Sequence, residues 1–280
     1  MVRKITIAKD VGFCSGVKGA IQKAREAASR YNKVVMLGDI VHNEKVVKEL
    51  EKSGVVVIDN IDKIDESTPI LFRSHGTKVE IWEKARQKGL TIIDATCPLV
   101  LEIHKSAKML EKEGRKVIII GDHGHDEVEA IASQVKGPIV ISNPREAKEL
   151  KNIKKSGVVV QSTQLIDDVS EIISILSYKM EDLRFVNTIC APTRKRQEQV
   201  KELARAHDVM IIVGSFTSAN TKRLTQIAKR INIQTYQIQG VEDIEPMWFN
   251  SAYSVGISAG ASTPDFIVDE VAKKIVAIPC

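Results

Sequence analysis

The chain has 280 residues, 43% hydrophobic and 28% charged, with a net charge of +5; these values fit an ordinary globular protein of one large or two to three small domains. It contains no apolar run of 18 residues, which excludes a helical membrane span, and MVRKITIAKD alternates like a strand rather than forming the apolar core of a secretory signal, so a cytoplasmic location is expected. The surplus of positive charge favours anionic partners, but it is dispersed along amphipathic helices and reads as solvated faces, not as a nucleic-acid surface.

From the N-terminus, KITIA reads as a strand leading into Cys14. Val17, Ala20, Ile21, Ala24, Ala27, Ala28 and Tyr31 then fall at helical spacing. An apolar run ends at Gly38 in KVVMLG, a helix follows around Val46–Leu50, and VVVID, PILFRS and TIIDAT read as further strands. Cys97 restarts the pattern: a helix carrying Val100, Ile103, Ala107 and Leu110 up to Gly114, the strand KVIIIG, and a helix with Val128, Ile131, Ala132 and Val135. The strands PIVIS, GVVVQS and RFVNTI complete this copy. After Cys190 the sequence repeats once more, with Val200, Leu203 and Ala204, then VMIIVG, then a helix with Leu224, Ile227, Ala228 and Ile231, then TYQIQ and YSVGIS. The third copy lacks its last strand. KITIA is the natural substitute, so residues 3–8 are expected to join the third sheet.

The copies are in strict register. Cys14, Cys97 and Cys190 are each followed 24 residues later by a glycine ending an apolar run, Gly38, Gly121 and Gly214. Four residues further stand His42, His125 and Ser218, and two beyond those Glu44, Glu127 and Asn220. Alternating strands and helices with short connections imply parallel sheets covered by helices, in units 10–96, 97–189 and 190–280, the last completed by residues 1–9. Ligand sites in such sheets lie at the carboxyl ends of strands, where all these register residues fall.

Widely spaced cysteines in a reducing compartment more often bind metal or act chemically than form disulfides. The absence of a CxxC pair argues against a zinc ribbon or a four-cysteine ferredoxin cluster. Three thiolates leave one coordination position of an iron–sulfur cluster open for substrate. Cys280 is outside the register and is read as a bystander. His42, His75 and His125, at loops before helices, suggest an anion site, and Ser162, Thr163, Ser218, Asn220 and Ser262 supply hydroxyl and amide groups for a diphosphate. Glu127, aligned beside His125, suits a proton donor, although an acidic residue in the first turn of a helix is also common for capping reasons alone. His104 and His207 are read as lying within helices, and His123 as structural. Alternatives from the residues are an iron–sulfur hydro-lyase working on a phosphorylated or acidic substrate without external electrons, and a non-enzymatic zinc-bound phosphate-binding or scaffold protein.

GFCSGV, DIVHNE, SHGTK, DATCPLV, GHDEVE, NTIC, GSFTSANTKRL and SAGASTPD, in this order, make the chain resemble the LytB/IspH family of 4-hydroxy-3-methylbut-2-enyl diphosphate reductases from about residue 10 to about residue 265. The resemblance implies an α/β trefoil of three pseudo-threefold-related units around a central 4Fe–4S cluster, held by Cys14, Cys97 and Cys190 with one iron lacking a cysteine ligand. It implies reductive removal of the substrate hydroxyl as water, giving isopentenyl and dimethylallyl diphosphate, with two electrons from ferredoxin or flavodoxin and two protons. It assigns diphosphate binding to His42, His75, His125, Ser218, Asn220 and Ser262 and proton delivery to Glu127, and it matches Ser162 and Thr163 to a threonine pair whose first member, here Ser162, helps hold the substrate hydroxyl and that glutamate. A monomer is expected, with a dimer as the alternative, and no membrane or nucleic-acid partner. Five positions depart from the family pattern here: Ser162 replaces a threonine, Ala219 a common serine at a phosphate contact, and Asp126 and Ala130 a proline and a glycine. Pro192 likewise replaces an alanine after Cys190.

Overall fold

A computed structural model describes residues 4–65 and 67–278; Cys280 and the first three residues lie outside the described residues. In chain order the regular elements are β1 (Lys4–Ile7), α1 (Ser15–Arg30), β2 (Val34–Leu37), α2 (Glu44–Lys52), β3 (Val55–Ile58), β4 (Ile70–Phe72), α3 (Val79–Gln87), β5 (Ile92–Asp94) and α4 (Pro98–Lys112). They continue with β6 (Lys116–Ile120), α5 (Asp126–Ala132), β7 (Ile139–Ile141), α6 (Pro144–Glu149), β8 (Ile153–Val160), α7 (Ile166–Ser177), β9 (Met180–Phe185) and α8 (Ala191–Ala206). The last are β10 (Val209–Val213), α9 (Ala219–Ile231), β11 (Thr235–Ile238), β12 (Ser254–Ala259) and α10 (Asp265–Val276). No helix among the described residues is long and apolar enough to cross a membrane.

The strands form three four-stranded sheets, ordered β3-β2-β4-β5, β7-β6-β8-β9 and β11-β10-β12-β1, and every strand pairing is parallel. The order is the same in all three. In the third, β1 occupies the edge that β5 and β9 hold elsewhere, with Lys4 opposite Ser254 and Ile7 opposite Ile257. Parallel strands buried on both faces need continuous apolar runs, and VMIIV of β10 is buried at every position.

The chain divides into two compact units, one from 1–17, 42–44 and 191–280 and the other from 18–41 and 45–190. The first unit holds the third sheet. Val209, Ile211, Val213, Val255 and Ile257 pack there against Ile267, Val268, Val271 and Ile275 of α10. The second unit holds the other two sheets. Val35, Ile70 and Phe72 form a core with Ala85 and Leu90, and Phe72 meets Trp82 edge-on at 4.8 Å between centroids. The β6–β8 sheet is covered on one face by Ile103, Ala107 and Leu110 of α4 and on the other by Val169, Ile172 and Leu176 of α7.

Two expectations are corrected. The strand read from RFVNTI lies earlier, at Met180–Phe185, because pairing with β8 runs from Ile153↔Met180 to Val158↔Phe185. Beyond it Thr188 takes over the ladder with its side chain, its Oγ1 accepting from Val160 N–H at 2.7 Å and donating back to Val160 O. His207 stands just past the end of α8, its ring nitrogens 2.9 Å from Leu203 O and 2.8 Å from Thr6 Oγ1.

Candidate functional site

The three cysteines occupy the same junction of the repeated topology. Each follows an edge strand, and its N–H bonds to a carbonyl just past the adjacent strand: Cys14 to Ala261 O (3.1 Å), Cys97 to Ser74 O (3.0 Å), Cys190 to Ser162 O (3.1 Å). Each is half-buried, in no disulfide, and immediately precedes or begins the approach to a helix. This leaves the thiols held by backbone at strand ends, a chemistry suited to soft-metal ligation. Among the described residues, no group of three or more His, Cys, Asp or Glu side chains is gathered for a metal ion.

In the unit containing Cys97 and Cys190, the chemistry concentrates at the start of α5. His125 is the N-cap: its Nδ1 accepts from Glu127 N–H at 3.1 Å, so the neutral ring carries its proton on Nε2. The His75 ring stands edge-on to it, 5.8 Å between centroids at 84°. His75 is carried by the turn after β4, where Gly76 has φ +89° and a Cβ would come within 3.1 Å of the His104 ring and 3.2 Å of Ala130 Cβ. The positive φ favours glycine there, and a side chain would also press on both neighbours.

Glu127 is 1% exposed. Its Oε1 accepts the Ser162 N–H at 2.6 Å and its Oε2 the Ser162 hydroxyl at 2.8 Å. Burial raises its pKa from 4.5 to about 7 and the Asp122 carboxylate adds to the rise, against the lowering effect of the two Ser162 bonds. A carboxyl balanced near neutrality is suited to donate or accept a proton. The Thr163 hydroxyl, next to Ser162, is buried with no hydrogen-bond partner. His104 of α4 is desolvated, with Lys108 opposing its protonation further, so its pKa falls to about 4 and it stays neutral.

In the other unit, Ser218 caps α9, accepting from Thr221 N–H at 3.3 Å. Asn220, in the first turn, is 6% exposed, and both its amide oxygen and its amide nitrogen lack a partner. An orphaned buried carboxamide is costly unless a ligand completes it. Ser262 Oγ donates to His42 O at 3.2 Å, and Asn43 Nδ2 to Ser262 O at 2.8 Å, so the segment bearing His42 is tied to the loop after β12. Ala219, half-buried beside Ser218, offers only backbone.

Within this unit lie His42, on the loop after β2 and tied to Ser262 after β12, and Ser218, Ala219 and Asn220 at the start of α9 after β10; within the other the structure sets His75 beside His125 and Glu127 against Ser162, next to Thr163. Sequence reasoning missed Arg73, which forms a two-point ion pair with Asp126 at the head of α5. It also missed the role of Glu44, which accepts from Ser215 Oγ (2.9 Å) and Gln239 Nε2 (3.1 Å) and ties the same His42 segment to the third sheet.

Known proteins resemble this chain over nearly its whole length. A curated 4-hydroxy-3-methylbut-2-enyl diphosphate reductase of Geobacter metallireducens is 41% identical over 97% of this chain and 96% of its own. One of Geotalea daltonii is 41% identical over 98% of both. The solved E-1-hydroxy-2-methyl-but-2-enyl-4-diphosphate reductase of Plasmodium falciparum superposes with a TM-score of 0.96 at 27% identity, covering 100% of this chain and 90% of that one. A second solved structure, of an enzyme described as the terminal one of the non-mevalonate pathway, is 38% identical with a TM-score of 0.70, over 99% of this chain and all of the other. The model of the family described as LytB protein matches residues 5–276, and the chain belongs to that family.

Proposed function

We propose that the chain reduces 4-hydroxy-3-methylbut-2-enyl diphosphate to isopentenyl and dimethylallyl diphosphate, releasing the hydroxyl as water. The observation that carries this is the Glu127–Ser162 pair, a buried carboxyl poised near pH 7, present in a chain about 40% identical over nearly full length to enzymes named for that reaction. The resident group is a 4Fe–4S cluster on Cys14, Cys97 and Cys190, supported by the threefold repetition of the cysteine junction. When bound, the cluster supplies electrons and an iron open to a substrate oxygen.

The chain's own groups do the rest. His42, His75, His125, Ser218, Asn220 and Ser262 bind the diphosphate, with Ala219 contributing its backbone N–H; the orphaned amide of Asn220 fits such a ligand directly. Ser162 and Thr163 orient the substrate hydroxyl. Glu127 holds a proton while the substrate binds, because an anionic ligand nearby favours the neutral carboxyl further, and gives it up at its carboxyl oxygen as the hydroxyl leaves. Electrons come from a small carrier, ferredoxin or flavodoxin, in the cytoplasm, and the enzyme acts as a monomer. The common strand order of the three sheets supports an origin by triplication, with units 10–96, 97–189 and 190–280 and residues 1–9 completing the third.

Anaerobically purified protein tests the reading. It is expected to be brown, to contain iron and sulfide, and to turn over the diphosphate only with a reductant; Cys97→Ser loses colour and activity together. Colourless, zinc-loaded protein, or turnover without reductant, contradicts it.

A further inference from the structure

Asp126 and Ala130, two of the positions that depart from the family pattern, meet the same neighbour, the segment 73–79 that carries His75. Arg73 Nη1 lies 2.7 Å from Asp126 Oδ2 and Nη2 2.7 Å from Asp126 Oδ1, a bidentate contact between residues 53 apart in sequence. The two side chains are 23% and 27% exposed, so water competes weakly for them. The guanidinium lies against Gly38, at φ +70°, where a Cβ would come within 2.6 Å of Nη1; any larger residue would displace it. Behind the pair, the space over Gly76 is closed by Ala130 at 3.2 Å, Lys78 pairs with Glu129, and Val79 N–H donates to Ser133 Oγ at 3.1 Å.

We propose that Arg73 and Asp126 are a positioning pair for the diphosphate site, docking the His75 segment onto the helix start that presents His125 and Glu127. Arg73 is two residues before His75, and Asp126 stands between His125 and Glu127 in the chain, so the ion pair joins the two segments close to both imidazoles. A planar fork gripping both carboxylate oxygens fixes orientation as well as distance, which a single-point contact does not. A proline at position 126 has no group to make this bond. Neither residue is assigned contact with substrate.

The proposal rests on the reductase reading, and one experiment separates the two. Steady-state constants of the anaerobic holoenzyme are compared for wild type, Arg73→Gln, Asp126→Asn and the double variant, with the visible spectrum and melting temperature of each. Each single change is expected to raise KM for the diphosphate about tenfold with kcat within about twofold. The double variant is expected to be no worse than either single one, since both remove the same bond. The cluster spectrum is expected to be unchanged. Wild type that does not reduce the diphosphate defeats the functional reading. With active wild type, the pair alone is overturned by an unchanged KM in the single variants, by effects that multiply in the double, or by melting shifts without a KM change.

Discussion

Removing the Ser162 hydroxyl perturbs Glu127, the proposed proton donor, without touching it. The carboxylate form of Glu127 receives two bonds from Ser162, one from the backbone N–H and one from the hydroxyl, and both oppose the effect of burial. In Ser162→Ala the backbone bond survives and the hydroxyl bond is lost. A hydrogen bond to a charged group contributes about 1.5–3 kcal/mol, and a pKa unit corresponds to about 1.4 kcal/mol, so the shift is about 1–2 units upward. The direction follows from which form loses its partner: the anion does, so the proton is held more tightly. Since Glu127 must carry a proton to donate one, the rate falls as pH rises through its pKa, near 7 in the native protein. The alkaline limb of kcat/KM, measured anaerobically with a chemical reductant, is therefore expected to move up by about 1–2 units in Ser162→Ala. Ser162→Thr, which keeps the hydroxyl, is expected to leave the limb in place. A limb that stays put in the alanine variant, or moves toward acid, refutes the coupling of Ser162 to the donor.

Glu127→Gln should abolish turnover while changing how stability depends on pH. The native pKa lies above the ordinary 4.5, so the folded protein holds a proton that the unfolded chain releases, and wild type loses stability as pH rises from about 4.5 to about 7. That gap corresponds to about 3 kcal/mol, which glutamine does not lose; parallel denaturation curves for the two proteins between pH 5 and 8 would contradict the assignment. Asn220→Ala removes a buried amide with no partner, so KM for the diphosphate should rise by an order of magnitude, about the value of one good hydrogen bond, while the melting temperature holds or increases. A melting temperature that drops sharply would mean the amide is satisfied within the fold. Gly76→Ala forces a side chain into positive φ against His104 and Ala130 and should cost about 1–3 kcal/mol by denaturation, with a higher KM because His75 is displaced. Wild-type stability in that variant would show the turn is not constrained.

The covalent spacing of the copies made much of this fold legible. The cysteine junctions and the register glycines are fixed along the chain, and the missing last strand of the third copy pointed to β1, which the structure pairs with β12. The buried faces of α1 and α4 were readable from periodicity, Ala20, Ala24, Ile103 and Ala107 among them. What failed was local. RFVNTI has strand composition, but its ladder position is decided by pairing with β8, and Thr188 closes that edge through its side chain. His207 falls one residue past a helix whose end no Gly or Pro marks. Asp126 was visible as a departure from the family pattern, but its partner Arg73, on another sheet's loop, carries no sequence signal that pairs them.

The three copies show why a repeated fold need not give a repeated function. At the same register position, Glu44, Glu127 and Asn220 each open a helix. Glu44 is exposed and accepts from Ser215 and Gln239, so it serves as a tie. Asn220 is buried but carries no charge, so burial leaves it with open hydrogen-bonding capacity that suits an anionic ligand. Glu127 is both buried and ionisable, and only this combination moves a proton equilibrium to neutral pH. An acidic residue and a desolvated environment coincide only at Glu127 among the three, which is what fits it for the proposed role of proton donor, and the serine that bonds both its oxygens opposes the effect of burial and so eases release of the proton.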